Sequence, residues 1–390
     1  MVHRLAAALV AFVSVAISAT SPTPRQSNDE QSLLVFLGTY TGPKSKGIYV
    51  SRLDLRNGAL SAPELAGDSA SPSFLALHPT RDFLYAVNEI GEFEGKSSGS
   101  VSAFAFDRKS GKLTPLNRQP SGGGGPAHIS IDSAGRNALV ANYGGGSVEV
   151  LPIGPDGSLK PPSAFIQHTG SSKNPDRQKS PHAHSIDADP SDRHVYVADL
   201  GIDKVMIYSF NPTTGTLAAN TPPFAAVAPG AGARHVALHP GGRFVYVINE
   251  IDCTVAAFTR DPATGGLTPL QTISTLPEGQ AVAAGFSTAE VQVHPSGKFL
   301  YGSNRGHDSI VVFAIDQKTG RLTYVENQPT QGSTPRNFGI DPTGAYLLAA
   351  NQRSDSVVVF RINADSGRLT PTGTKIDVGS PVCVKFVRRR

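Results

Sequence analysis

Several residue types are scarce in this chain of 390 residues. There are two cysteines, too few for a disulfide framework. Tryptophan is absent, charged residues make up 17% of the chain, and the net charge is only +4. Part of that charge comes from residues 388–390, which we interpret as a solvated basic tail. No basic stripe interleaved with aromatic residues occurs, so we expect no binding to nucleic acid.

Only one long apolar run is present. Leu5 to Ala19 is apolar over fifteen residues, follows Arg4 and ends in small residues. This run is short for a bilayer span and has the make-up of a secretory signal. We therefore predict a signal peptide at residues 1–19 and a disordered leader at 20–31. The mature protein is expected to be secreted or periplasmic and not to bind membranes.

A unit of about fifty residues recurs along the rest of the chain. Each unit contains an apolar segment that closes on Asn or Asp, and the closing residues are Asn88, Asn142, Asp199, Asn249, Asn304 and Asn351. They lie 54, 57, 50, 55 and 47 residues apart, and Leu34–Gly38 forms a seventh copy 50 residues before the first. Four short strands per unit at this period predict an all-β fold, a single seven-bladed β-propeller over residues 32–387 with four antiparallel strands per blade.

The two ends of the repeat region are incomplete in complementary ways. Residues 380–387 match an innermost strand with no second strand after it, whereas Leu34–Tyr40 matches a second strand with none before it. We expect the C-terminal strand to complete the N-terminal blade, which removes the sheet edges. This register places Cys253 and Cys383 on blades that are not neighbours, so we expect two small buried residues and no disulfide. The lack of tryptophan argues against propellers of the WD-dipeptide type.

Consecutive loops of an antiparallel blade alternate between two faces. On one face His78, His239 and His294 alternate with Asp before Pro and Gly turns, and we expect them to hydrogen-bond those turns. The other face brings His, Arg and Glu to one mouth of the channel at blade-specific positions, namely His128, His182, His184, His235, His307, Arg234, Arg305, Arg336, Arg353, Glu89, Glu250 and Glu290. A polar ring that departs from the repeat consensus indicates a functional site.

Five motifs on this face occur in a characteristic order: Ser180–Ile186, Gly232–Pro240, Tyr246–Glu250, Ser303–Gly306 and Thr334–Asp341. With them, the chain from Leu34 to Phe386 resembles the seven-bladed lactonase propellers, which include bacterial 6-phosphogluconolactonases and fungal 3-carboxymuconate cyclases. The resemblance implies lactone chemistry without a metal or cofactor. It also implies that the functional residues are His182 or His184, Arg234, Glu250 and Arg305. The familiar phosphogluconolactonases act in the cytosol, so the predicted export here argues against a phosphorylated substrate.

Opening a lactone requires a base that activates water, donors for the oxyanion and an acid for the leaving alkoxide. We predict that His182 or His184 is the base and that Glu250 orients it, with Arg305 as the fourth catalytic residue. The two histidine side chains are expected to diverge, so that only one faces the channel. The alternative is that both histidines only hydrogen-bond the loop backbone.

The arginines of the mouth indicate an anionic ligand, because a guanidinium binds carboxylate or phosphate with two parallel hydrogen bonds. We predict that the substrate-binding residues are Arg234, His235, Arg336, His128, Asn88, Asn142 and Asn304. The alternative is that Arg234, Arg305 and Arg336 pair with Glu250, Glu290 and nearby Asp residues and thereby brace neighbouring blades.

The predicted function is hydrolysis of an anionic or sugar-acid lactone by a monomer. One alternative is a cycloisomerase in which the same residues close a ring, and another is a non-catalytic propeller that binds an anionic glycan or a protein. Few aromatic residues are near the mouth (Tyr40, Tyr143 and Phe93), which favours a small polar ligand. Calcium is a less favoured alternative to a metal-free site. Segments 91–98 and 169–179 are expected to cover the mouth.

Overall fold

Short apolar segments, separated by turns rich in Gly, Pro, Asn and Asp, form twenty-eight β-strands in the part of the chain that the computed structural model describes. The model describes residues 1–3, 5–9 and 31–388. The predicted signal peptide and leader therefore lie mostly outside the described residues, as do the last two residues of the basic tail. Within the described ranges, no helix is long and apolar enough to cross a membrane.

The strands are numbered in chain order. The first ten are β1 (Ser32–Thr39), β2 (Gly47–Asp54), β3 (Glu64–Asp68), β4 (Phe74–Leu77), β5 (Phe83–Asn88), β6 (Ser100–Phe106), β7 (Leu113–Pro120), β8 (Pro126–Ile131), β9 (Asn137–Asn142) and β10 (Ser147–Pro152). The next nine are β11 (Ala164–Gln167), β12 (Ala183–Ala188), β13 (His194–Asp199), β14 (Lys204–Asn211), β15 (Thr216–Ala226), β16 (Ala233–Leu238), β17 (Phe244–Asn249), β18 (Thr254–Arg260) and β19 (Leu267–Ser274). The last nine are β20 (Ser287–Val293), β21 (Phe299–Arg305), β22 (Ser309–Ile315), β23 (Leu322–Pro329), β24 (Pro335–Ile340), β25 (Tyr346–Asn351), β26 (Ser356–Ile362), β27 (Leu369–Asp377) and β28 (Pro381–Arg388). A single 3₁₀ turn, Gln352–Ser354, follows β25 among the described residues.

These strands form seven antiparallel sheets of four strands each, so the predicted seven-bladed propeller is confirmed. Blade 1 has the order β28-β1-β2-β3, and blades 2 to 7 each contain four consecutive strands, from β4–β7 to β24–β27. The innermost strands, β4, β8, β12, β16, β20, β24 and β28, contact one another around the ring and line the channel.

The two ends of the chain meet in blade 1. Strand β28 pairs with β1 in antiparallel register from Leu33 opposite Arg388 to Thr39 opposite Pro381. The predicted closure by the C-terminal strand is therefore confirmed. Cys253 and Cys383 are both free and buried, in agreement with the sequence prediction.

Hydrogen bonds between blades come from residues at repeated positions. The hydroxyl groups of five buried tyrosines in the second strands donate to carbonyls of the next blade, and these are Tyr85, Tyr196, Tyr246, Tyr301 and Tyr346. The Nδ1 atoms of His78, His239 and His294 accept from the N–H groups of their own turns, as predicted. Their Nε2 atoms also approach carbonyls of the next blade. The Tyr and His residues that recur in the repeat thus connect each of these blades to the next one in the ring.

Glu149 in β10 is an exception to the apolar interior. Its side chain is 2% exposed, and Oε2 has no hydrogen-bond partner among the described residues. Burial raises the pKa of the Glu149 carboxyl to about 8, because the charged form loses its hydration. The carboxyl group is therefore protonated in the folded protein at neutral pH.

Replacing Glu149 by Gln should make the protein less sensitive to alkaline pH. In the wild type, the unfolded carboxyl ionises near its ordinary pKa, whereas the folded one ionises only near 8, so stability falls as pH rises between these values. The loss is at most about 1.4 kcal/mol per pH unit. Urea denaturation at pH 5 and pH 8.5 should show similar stability at pH 5 and a more stable Gln variant at pH 8.5. An equal difference at both pH values would contradict this assignment.

Candidate active site

The innermost strands carry β-bulges near their first residues, at the mouth selected from the sequence. The extra residues are Ala127 in β8, His184 in β12, Arg234 in β16 and Arg336 in β24. A bulge interrupts the alternation of side chains and re-aims one of them. These four residues line one small pocket together with Ser73, Phe74, Glu89, His235, Asn337 and Val382.

Glu250 lies at the centre of an arginine clamp. Its Oε2 accepts a hydrogen bond from Arg234 Nε at 2.8 Å and lies 2.9 Å from a guanidinium nitrogen of Arg305. Its Oε1 accepts from Arg177 at 2.7 Å. Arg234 and Glu250 are buried, whereas the Arg177 side chain is 41% exposed. We define the clamp as Glu250 with these three arginines.

The charged groups of the clamp shift one another's pKa values. Burial alone would raise the pKa of the Glu250 carboxyl, but the three guanidinium groups together hold it well below its usual range. Burial and the neighbouring Arg305 lower the pKa of Arg234 to about 9, so this group remains charged at neutral pH. The clamp therefore carries a net positive charge.

Arg336 belongs to the same mouth but not to the clamp. It is half-buried, its guanidinium lies over the Tyr40 ring at 5.4 Å, and it forms no ion pair with a carboxylate of the described residues. The Tyr40 hydroxyl instead donates to Glu89 at 2.8 Å. Arg336 is thus available to an anion that enters the pocket.

Three neutral imidazoles lie below the arginines. The His184 and His235 rings are 5.2 Å apart, and those of His235 and His128 are 5.3 Å apart. Burial, as the largest cause, lowers the pKa of each of them well below 6.5. His235 contacts Arg234 through Nε2 at 3.0 Å and Glu290 through Nδ1 at 3.4 Å. His128 lines the channel below the pocket rather than the pocket itself.

The two parts of the prediction for His182 and His184 have different outcomes: the side chains do not diverge, because both rings contact Tyr143, but only one of the two lines the pocket. The His182 ring stacks on Tyr143 with centroids 4.7 Å apart, and the His184 ring meets the same tyrosine edge-on at 5.1 Å. Residues two apart in a regular strand project to the same side, and the bulge at His184 further changes the direction of that side chain. His182 also contacts the Tyr143 carbonyl through Nδ1 at 2.8 Å, whereas His184 lines the pocket.

The predicted contact between Glu250 and a catalytic histidine is absent among the described residues. Both Glu250 oxygens are taken up by arginines, because three guanidiniums converge there from different blades and loops. The alternative role of Arg234 and Arg305 as braces therefore describes their contacts correctly. Arg305 also donates to the Thr288 carbonyl at 2.7 Å.

Three asparagines predicted to bind substrate are instead buried under the mouth. Their amide groups donate to backbone carbonyls of the loops that enter each blade: Asn88 to Ala70, Asn142 to Ser121 and Asn304 to Thr275. None of the three lines the pocket. The structure assigns them to loop anchoring because a buried amide at a strand end satisfies backbone carbonyls that would otherwise lack partners.

Arg177 was not selected from the sequence. It lies in segment 169–179, which was considered only as a cover for the mouth, and it contacts Glu250 and the Tyr143 hydroxyl. A basic residue within a loop next to a polar mouth was the available signal. Within the described ranges, no group of three or more His, Cys, Asp or Glu residues could hold a metal ion.

Comparison with known proteins identifies the family. Residues 34–386 match the family model described as lactonase, 7-bladed β-propeller. The chain belongs to the lactonase propeller family. A protein of Bacillus subtilis named 6-phosphogluconolactonase is 37% identical over 354 residues, covering 91% of this chain and 98% of its own.

Solved structures of the lactonase propeller family agree closely with this fold. A putative 6-phosphogluconolactonase from Bacteroides fragilis is 36% identical with a TM-score of 0.86, covering 93% of this chain and 100% of its own. A periplasmic gluconolactonase from Pseudomonas aeruginosa is 34% identical with a TM-score of 0.86, covering 92% and 100%. The resemblance stated from the sequence motifs is thus confirmed.

Replacing Glu250 by Gln should destabilise the protein at neutral pH. Removing the carboxylate leaves buried Arg234 without its counter-charge, which costs about 3–5 kcal/mol. Since the folded pKa of Glu250 is depressed, its contribution is present above the unfolded pKa and is lost as pH falls through the acidic range. Urea denaturation should therefore show a gap in unfolding free energy between wild type and variant that stays constant from pH 7 to about pH 5 and narrows below the ordinary carboxyl pKa of about 4.5.

Arg177→Gln is the matched control, because the half-exposed Arg177 side chain is screened by solvent. Its loss should cost about 1 kcal/mol or less. Equal losses of unfolding free energy in the two variants would mean that the buried Arg234–Glu250 pair stabilises the fold no more than the half-exposed Arg177 does.

Proposed function

We propose that the protein hydrolyses an anionic or sugar-acid lactone at the mouth of the propeller. The observation that carries this proposal is Arg336, a half-buried guanidinium that has no ion-pair partner among the described residues and lines one pocket with the neutral His184. A cation free to bind substrate beside a base free to accept a proton is what hydrolysis of an anionic ester requires.

His184 is the better candidate for the general base. Its ring lines the pocket, and its Nδ1 has no hydrogen-bond partner among the described residues. Burial, with the nearby positive charge of Arg234, favours the neutral imidazole, which can accept a proton at neutral pH. His182 has its Nδ1 on the Tyr143 carbonyl and is better placed to support the substrate.

The pocket has room for the nucleophile. The space open to the centre of a water molecule is about 10 Å³, which is at the lower limit for holding one water. We infer that the attacking water lies there, with one hydrogen directed at His184. The lactone would lie above it, with its anionic group on Arg336 and its ring near Tyr143 and His182.

The proposed reaction follows ordinary ester hydrolysis. His184 takes a proton from the water while the water oxygen bonds to the lactone carbonyl carbon, and the carbonyl oxygen becomes an oxyanion near Arg234 and Arg336. Collapse of this intermediate breaks the ring C–O bond. The protonated His184 then returns its proton to the leaving alkoxide, so that the product is a hydroxy acid.

Glu250 has a different role in this proposal from the one predicted. By holding Arg234, Arg305 and Arg177 with one carboxylate, it fixes the positive side of the site in place before substrate arrives. Such preorganised charge stabilises an oxyanion at little cost of reorganisation. We therefore assign Glu250 to the organisation of the arginines and not to proton transfer.

Export remains part of the proposal. It is supported by the apolar run from Leu5 to Ala19 and by the similarity to the Pseudomonas aeruginosa periplasmic gluconolactonase. Several relatives bear the name 6-phosphogluconolactonase, including those of Bacillus subtilis and Formosa agariphila. Both phosphorylated and unphosphorylated sugar lactones should therefore be tested.

The activity test measures acid release from δ-gluconolactone, 6-phosphogluconolactone and a muconolactone, each corrected for spontaneous hydrolysis, with and without EDTA. We expect EDTA-resistant hydrolysis of at least one sugar lactone. No turnover by folded protein on any of the three would overturn the proposal and leave the cycloisomerase and the binding propeller as the alternatives.

His184→Gln should lower kcat by about 10²–10⁴-fold, the contribution typical of a general base. In the wild type, kcat/KM should stay constant from pH 6.5 to 8 and fall only at a more acidic pH, because the pKa of His184 lies well below 6.5. His182→Gln should retain the same pH profile with a higher KM. A profile whose acidic limb disappears in His182→Gln, and not in His184→Gln, would assign the base to His182 instead.

A further inference from the structure

Blade 4 departs from the repeat at two positions that touch each other. Its second strand closes on Asp199, whereas the equivalent residue in blades 2, 3, 5, 6 and 7 is Asn. His168 begins the loop that enters blade 4, and its N–H donates to the backbone carbonyl of Gly146. The residues that make the corresponding backbone hydrogen bond at the entry to the other blades are Ser69, Ser121, Val227, Thr275, Thr330 and Val378. Both departures occur in the blade that carries His182 and His184.

The two residues form a buried hydrogen-bonded chain. Asp199 Oδ2 lies 2.6 Å from His168 Nδ1, and the Tyr208 hydroxyl lies 2.9 Å from His168 Nε2. With Nδ1–H donating to the carboxylate, Nε2 accepts from the tyrosine. Burial raises the pKa of Tyr208 to about 12, so its hydroxyl keeps the proton that it donates.

The other oxygen of Asp199 holds the strand that carries the histidines. Asp199 Oδ1 accepts from the backbone N–H of His182 at 2.8 Å and of Gly201 at 3.0 Å. His168 and His182 therefore flank segment 169–181, and a single buried carboxylate binds both. In blades 2, 3, 6 and 7 the Asn amide donates to a loop carbonyl, so the change to Asp converts a donor into an acceptor at this position.

The segment closed in this way contributes to the clamp. Arg177 reaches from it to Glu250 and to the Tyr143 hydroxyl. Two further contacts hold the segment, Ser172 to Asp203 and the buried Gln178 to the Leu200 carbonyl. Among the described residues, Asp199 is the one side chain that hydrogen-bonds to the residues at both ends of the segment.

We propose that Asp199, together with His168, is a positioning residue of the active site: it closes segment 169–181 and thereby places Arg177 at the clamp and His184 in the pocket. This inference rests on the proposed lactonase function for its activity readout. The structural measurement is independent of that function, because the position of the segment can be measured without a substrate.

Three variants test the proposal. Asp199→Ala removes both anchors. Asp199→Asn introduces the repeat consensus residue, whose Oδ1 can still accept from His182 and whose amide can donate to His168 Nδ1 once the imidazole changes tautomer. Asp189→Ala is the matched control, because Asp189 is equally buried in the same blade and pairs with Arg260 away from the mouth.

Limited trypsin digestion reports the position of the segment, which contains Lys173, Arg177 and Lys179. We expect Asp199→Ala to be cut there at least about 10-fold faster than wild type, since local opening governs cleavage when reclosing is fast. Asp199→Asn should be cut at an intermediate rate, and Asp189→Ala at the wild-type rate. Segment cleavage in Asp199→Ala no faster than in Asp189→Ala would overturn the proposal.

The activity readout separates positioning from general stability. We expect kcat/KM for the best lactone to fall about 100-fold in Asp199→Ala, as for a small misplacement of catalytic groups, with recovery to within about 10-fold in Asp199→Asn. Asp189→Ala should lose thermal stability but keep kcat/KM. Equal losses of kcat/KM in Asp199→Ala and Asp189→Ala would reject a positioning role.

The two proposals fail in distinguishable ways. If the wild type hydrolyses no lactone, the proposed function fails, and the trypsin comparison alone decides whether Asp199 closes the segment. If Asp199→Ala does not fold, Asp199→Asn is compared with Asp189→Asn in the same digestion. Imidazole ¹⁵N shifts must then show His168 in the opposite tautomer in Asp199→Asn, and an unchanged tautomer would contradict the assigned hydrogen-bond chain.

Discussion

Closure of the ring by β28 and β1 is the constraint on which the rest of this structure depends. Each blade buries its apolar faces against two neighbours, so an open ring would expose both the terminal faces and the edge of β1. The candidate site is equally dependent, because its pocket takes residues from six different blades. Pairing between the two chain ends is thus what brings Arg336, His184 and Val382 around one axis.

The site is produced by small irregularities in an otherwise regular scaffold. Bulges at the same place in successive innermost strands turn His184, Arg234 and Arg336 toward the channel. The side chains so gathered are predominantly cationic, and Glu250 balances only part of that charge. The site consequently combines a fixed positive surface with neutral imidazoles, an environment suited to an anionic substrate and a negatively charged transition state.

Repeat consensus and departure from it serve different purposes. Consensus residues such as Asn142, Tyr246 and His294 anchor loops or join neighbouring blades. Departures concentrate around the mouth, where Asp199 and His168 replace the residue types found in other blades. A repeat protein thereby allows a comparison within one chain, in which each blade serves as a reference for the others.

Strand alternation, turn chemistry and the fifty-residue period are local properties of the chain, so they were sufficient to predict the architecture, the closing strand and the face of the site. The sequence also identified His184, Arg234, Glu250, Arg305 and Arg336 as residues of that face. The partners of these side chains, by contrast, follow from contacts between parts of the chain that are distant in sequence. Whether Glu250 meets a histidine or three arginines depends on side chains from separate blades and from segment 169–179, and on bulges that shift the direction of each strand. A local sequence pattern does not contain the distances between such side chains. Arg177 was therefore missed, and the buried asparagines were predicted to bind substrate.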